Sequence, residues 1–191
     1  QSRNTILTMK KLLFMAIASV MLFSSCEKDP IDPPVDTVLV GTLTENKTLT
    51  ADKEWTLKGY VYVPEGITLT IEPGTVIKSD IAEKGALTIE RGGKIMAEGT
   101  AEKPIVFTSG NAFPQSGDWG GVVLLGIAKV NTTLPWKGTS IVGLTSVEGG
   151  VNDTEVGYGL AGSGDAAFPT GNDDDNSGIL QYVRIEYAGY A

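Results

Sequence analysis

Apolar residues recur at every second position through much of the chain, which is the period of a β-strand with one buried face. In "GITLTIEPGTVIKSD", from Gly66 to Asp80, Ile67, Leu69 and Ile71 alternate with Thr68, Thr70 and Glu72. Eighteen residues later "GALTIERGGKIMAEG", from Gly85 to Gly99, repeats the phrase. Leu87, Ile89, Glu90, Gly92 and Ile95 take the places of Leu69, Ile71, Glu72, Gly74 and Ile77. Proline and glycine punctuate both copies at Pro64, Gly66, Pro73, Gly74, Gly92 and Gly93, where corners need permissive backbone. No helical stripe appears after the leader. Self-similarity near twenty residues, strand parity and matched glycines predict a stacked solenoid of the β-helix kind, in which the copies pile up in register. An antiparallel sandwich with two similar hairpins is the alternative.

Further strands follow the same parity. "EWTLKGYVYVPEG" sets Trp55, Leu57, Val61 and Val63 inward and Thr56, Lys58, Tyr60 and Tyr62 outward. In "KPIVFTSG" Ile105 and Phe107 point one way, and in "GILQYVRIEYAG" Ile179, Val183, Ile185 and Tyr187 do so, with Gln181 among them. "VVLLGIAKV", from Val122 to Val130, is apolar on both sides, so something must cover its outer face. The glycine-rich stretch at about 131–177 is the candidate cover, being far longer than a corner requires.

"VPEGITLTIEPGTVI", "GDWGGVVLLG" and "NDDDNSGILQYVRIEYAG" resemble the β-helix lipoproteins of Gram-negative bacteria, relatives of the pectate-lyase-like right-handed β-helix group. The resemblance runs from about Val38 to the end and implies an all-β, right-handed parallel β-helix. It carries over no catalytic residue. Relatives continue beyond the point where this chain stops, and "RIEYAGYA" closes without a capping element. The expectation is therefore a solenoid incomplete at its C-terminus.

The ends carry an address. Residues 1–8 read as translated upstream sequence, and residues 9–25 as a signal peptide with Lys10 and Lys11 before an apolar run from Leu12 to Phe23. Ser24 and Ser25 before Cys26, the single cysteine, resemble a bacterial lipobox, which implies cleavage and lipidation at Cys26. An ordinary secretory signal is the alternative. Residues 26–37, rich in proline and acid, read as a tether, leaving 38–191 as the β-helix domain. The expected location is the cell envelope, with the lipid in the outer membrane and either face open.

Charge and residue usage then narrow the function. The formal charge of −8 becomes −11 once residues 1–25, with three cations and no acid, are removed. That argues against nucleic-acid partners and favours neutral partners and cations. The chain has no histidine, which excludes Ser-His-Asp and Cys-His catalysis and histidine metal sites. In "TGNDDDNSG", Asn172, Asp173, Asp174, Asp175 and Asn176 offer the oxygen ligands that Ca2+ prefers, with Asp153 and Asp165 nearby in sequence; a solvated acidic turn is the alternative. Two outward rows, Lys58, Tyr60 and Tyr62, and Tyr182, Arg184 and Glu186, suit a polysaccharide, with Trp119 and Trp136 adding rings. Plain ladders of surface side chains are the bland reading.

Two functions follow. One is a lipid-anchored, non-enzymatic β-helix that binds an extracellular polymer, chiefly glycan, or an envelope protein. The other is a calcium-assisted polysaccharide lyase or glycoside hydrolase. For it, Arg184 with Asp173 to Asp175 is the only constellation that fits a lyase, and neither Glu148 nor Glu186 can be placed as a hydrolase acid.

Overall fold

The computed structural model describes residues 37–147 and 157–190, and among them no α-helix occurs. The expected leader, Cys26 and tether lie outside the described residues. The early strands are β1 (Val38–Thr42), β2 (Lys47–Leu49), β3 (Glu54–Val63), β4 (Thr68–Ile71), β5 (Val76–Ser79), β6 (Ala86–Ile89) and β7 (Lys94–Glu98). They are followed by β8 (Ile105–Ser109), β9 (Gly121–Leu124), β10 (Thr133–Trp136), β11 (Thr139–Val142), β12 (Leu144–Ser146), β13 (Leu160–Gly162), β14 (Gly178–Gln181) and β15 (Val183–Ile185).

Eleven of these strands wind as a coil with three faces. On the first face β15, β8, β5, the first half of β3 and the start of β1 lie side by side. On the second are β9, β6, the second half of β3 and the end of β1. The third is β14, β7, β4 and β2. Every ladder in the coil is parallel, so the protein is a parallel β-helix. The first two faces form one seven-stranded sheet because β3 turns the corner without breaking. It bends at Gly59 (φ +63°), so Glu54–Leu57 pairs with Val76–Ser79 while Val61–Val63 pairs with Leu87–Ile89.

Strand parity explains the core. Trp55 lies beside Ile77 and Ile77 beside Phe107; Leu49 lies beside Ile71 and Ile71 beside Ala97. Val61 and Leu87, Val63 and Ile89, and Leu69 and Ile95 stack likewise, all buried in one cluster. Each such aliphatic side chain contributes roughly 1.5–3 kcal/mol by leaving water. At the N-terminal end, the ammonium groups of Lys47 and Lys53 sit 5.4 and 6.0 Å from the centre of the Trp55 ring, covering its outer side.

The repeat at eighteen residues is not the coil period. Leu69 stacks on Ile95, whereas Leu87 stacks on Val61 and Val122, so the two copies lie on different faces instead of piling on each other. Each copy is one strand plus one corner, and a coil contains several such units. Similarity therefore reports neighbouring faces. The true period lengthens along the chain: 22 residues from Leu49 to Ile71, 26 from Ile71 to Ala97, 30 from Ile77 to Phe107 and 35 from Leu87 to Val122.

Parity also fails where a corner intervenes. Val183 and Ile185 stack inward on Ile105 and Phe107 as expected. Leu180, however, is the residue beside the inward Ala97, which turns Ile179 and Gln181 outward beside Met96 and Glu98. The chain reverses its parity at Tyr182, which sits in the left-handed region (φ +48°).

Between Leu124 and Gly178 the chain leaves the coil and returns in register, Gly178 falling beside Ile95. This excursion starts a few residues ahead of the expected 131 and carries two antiparallel hairpins, β10–β11 and β12–β13. It covers an outer face as anticipated. Leu125 is buried, and the cover extends to β6, whose four residues are buried on both sides.

Close stacking at the corners gives a direct test. A Cβ on Gly85 would lie 2.0 Å from the backbone carbon and oxygen of Gly59 in the turn below. Gly85→Ala is expected to lower stability by about 3 kcal/mol or more, read as a lower midpoint in thermal or urea unfolding. An unchanged midpoint would mean the turns do not approach so closely.

Candidate functional site

The corner between β6 and β7 is written Glu90-Arg91-Gly92-Gly93, and both charged residues are buried, with exposures of 4% and 5%. In the first copy of the motif the equivalent Glu72 is exposed. The difference is the excursion, which lies over the second copy. Gly159 N–H donates to both oxygens of Glu90 at 3.2 and 3.1 Å. Arg91 donates to the Gly162 carbonyl at 3.1 Å and grips Asp165 with both ends of its fork, at 3.1 and 2.8 Å. Its guanidinium carbon lies 4.5 Å from the centre of the Phe168 ring. Phe168 N–H closes the loop by donating to Asp165 at 3.0 Å. Above the same face, Tyr62 stacks on Tyr158 of the excursion with ring centres 4.7 Å apart.

The electrostatics of the two acids differ in sign. Burial pushes Asp165 upward, but the hydrogen bonds from Arg91 and Phe168 N–H and the Arg91 charge outweigh it and hold the carboxyl below its ordinary value. Glu90 goes the other way. Burial raises it from 4.5 to about 7, only partly opposed by the Gly159 N–H and by Arg91, whose charge is committed to Asp165.

Beside the ion pair opens a pocket of about 440 Å³. Arg91 is the lining residue contributed by the coil; Trp136, Lys137, Thr139, Ile141, Asp165 and Ala166 come from the excursion. Trp136 and Thr139 face each other across the β10–β11 hairpin, whose two-residue turn is Lys137-Gly138. Both turn residues have positive φ (46° and 81°), the pattern that matches strand twist in tight hairpins. The half-buried Trp136 ring is thereby fixed at the pocket wall, with the Lys137 ammonium 5.8 Å from its centre.

The residues expected from sequence are scattered. Trp119 is not a surface ring: it is 1% exposed, stacked on Phe107 at 6.2 Å, and donates its indole N–H to the Glu186 carbonyl at 2.8 Å. Its place just before β9 in a "GDWGG" corner hid its inward direction. Tyr182 is exposed but stands at a corner, apart from the outward ladder of Arg184 and Glu186. Arg184 is ion-paired with Glu186, which also accepts from the Thr108 hydroxyl at 3.1 Å. Tyr60 and Tyr62 are half-buried on the second face, divided from Lys58 by the Gly59 bend.

The acidic loop has an internal use. Asp173 accepts from Lys129 N–H at 3.1 Å and pairs with its ammonium at 3.4 Å, and Asp175 accepts from Ile127 N–H at 2.9 Å. Asn172 and Asn176 accept from the N–H groups of Asp174 and Gly178. Among the described residues no group of three or more acidic side chains converges as metal ligands. Arg184 pairs with Glu186 and Asp173 with Lys129. Sequence reading passed over Glu90 and Arg91. The available signal was two adjacent charges inside an otherwise small, glycine-bounded corner.

A family model described as a pectate-lyase-like β-helix domain matches residues 41–191. No curated protein matches the chain, and no solved structure does.

The Arg91–Asp165 pair is buried on both sides, so removing one partner strands a charge. Asp165→Ala is expected to cost about 3–5 kcal/mol, and Arg91→Met combined with Asp165→Leu to recover most of it. Because the Asp165 carboxyl is held below its unfolded value, its contribution is present above pH 3.8 and lost as the pH falls through the depressed value. Urea unfolding of the three proteins between pH 2 and 7 checks both the cycle and the sign.

Proposed function

The chain belongs to the pectate-lyase-like β-helix domain family, and from that premise we propose a carbohydrate-binding protein of the bacterial envelope, non-enzymatic and tethered by lipid at Cys26. The pocket over the third coil carries the reading. It sets an aromatic ring, Trp136, beside a hydroxyl, Thr139, and a locked ion pair, Arg91–Asp165. Rings suit the apolar faces of sugars, and fixed polar groups suit their hydroxyls. Among the described lining residues the acid is Asp165, which is gripped by Arg91 and kept ionised. A carboxylate so held is a poor proton donor, which favours binding over glycoside hydrolysis. The acidic chain as a whole disfavours nucleic acid and suits neutral glycans.

Two measurements test this. On a glycan array the chain is expected to retain a discrete set of sugars, and Trp136→Ala to weaken the best by about tenfold, roughly 1.4 kcal/mol. Equal binding by the variant would remove the pocket from the account. For the tether, Cys26→Ser is expected to move the protein from the membrane fraction to the soluble one in a Gram-negative host. Persistence in the membrane would refute lipid anchoring.

A further inference from the structure

We propose that the excursion is clasped to the coil by a proton-dependent contact: Glu90 holds the Gly159 segment tightly as a neutral acid, and ionisation of Glu90 loosens that segment together with the pocket. The geometry is a buried carboxyl at a corner of the coil with a stretch of the excursion laid over it. Glu90 N–H is fixed to the Val63 carbonyl and its own carbonyl accepts from Gly93 N–H, so the corner itself is pinned to the coil. The carboxyl reaches outward to Gly159, which directly precedes β13. Three residues beyond Gly159, Gly162 accepts from Arg91, and Asp165 follows. Asp165 and Gly157 both line the pocket, so the clasped stretch and the pocket wall are one piece of chain.

The charges around Glu90 set the direction. On its own corner stands Arg91, whose charge is shared with Asp165 of the excursion. From the turn below, Glu65 lays its methylene carbons against Gly92, and its charge is not among those acting on Glu90. Tyr158, next to Gly159, contributes a phenol stacked on Tyr62. An ionised Glu90 therefore has one N–H donor and an already committed cation, and the buried charge is undercompensated. Lifting the 157–162 stretch admits water and relieves it.

The sign follows from linkage. The carboxyl titrates at about 7 when covered and near 4.5 when solvated. A raised folded value means the clasp is strongest below pH 4.5 and weakens as the pH rises through 7. Between pH 6 and 8.5 these two values predict an opening equilibrium about tenfold larger.

The clasp does not depend on the carbohydrate reading, which enters only in what a looser pocket would do to a ligand. The test needs no ligand: amide hydrogen exchange of the full chain, expressed as protection factors for residues 157–162 relative to β4 and β5, at pH 6 and 8.5. About tenfold lower relative protection at pH 8.5 is expected in the wild type, and no pH effect in Glu90→Gln, whose amide oxygen still accepts the Gly159 N–H. A wild-type profile that stays level across this range overturns the proposal even if the variant folds poorly. So does a fall in protection that persists in Glu90→Gln. Glycan binding failing while the clasp titrates would reject the pocket's ligand and leave the clasp standing.

Discussion

Parallel stacking in register is what every other feature of this molecule leans on. A residue that points inward in one turn lies directly over another inward residue of the next, as Trp55, Ile77 and Phe107 do along the first face. The backbone ladders fix the vertical spacing, and the inward columns then fill a continuous interior without a second layer of structure. Corners have no such latitude. Where a corner of one turn rests on the next, as Gly85 rests on Gly59, there is no room for even one added carbon. The core tolerates alternatives of similar size, but the corners permit only certain residues.

That constraint makes the coil a rigid floor, and the excursion between Leu124 and Gly178 uses it as one. Among its described residues, Leu125, Leu144 and Leu160 are buried apart from the main cluster. Its described polar contacts with the coil run through Glu90 and Arg91. Polar attachment gives direction and fixed geometry at modest net stability. A pocket assembled at such a seam inherits the electrostatics of the seam, which is why the acids beneath it matter to what it can hold.

Much of the fold was legible in the sequence. Alternation, glycine corners and the repeated phrase located β3 through β8, and the doubly apolar Val122–Leu125 signalled a cover. Periodicity failed at two kinds of place. The repeat interval was taken for the coil period, because a strand-plus-corner unit looks alike on whichever face it serves. Parity was carried through Tyr182 and Gly59, although a corner resets or divides a row. The site was harder still. Glu72 and Glu90 occupy the same position in the same motif, and only the long-range fold-back at Gly159 makes one exposed and the other buried. Trp119 shows the converse, an aromatic beside a glycine corner that turned inward to stack on Phe107.

The lengthening of the coil, from 22 to 35 residues while the ladders stay aligned, separates two kinds of sequence change. Residues added at a corner bulge sideways and leave the pairing above and below undisturbed, as the return of Gly178 to Ile95 demonstrates. Residues added within a strand would shift a whole column. Such a scaffold can acquire new lateral modules one bend at a time, and the second-to-third-face bend of its fourth turn is where this chain has already done so.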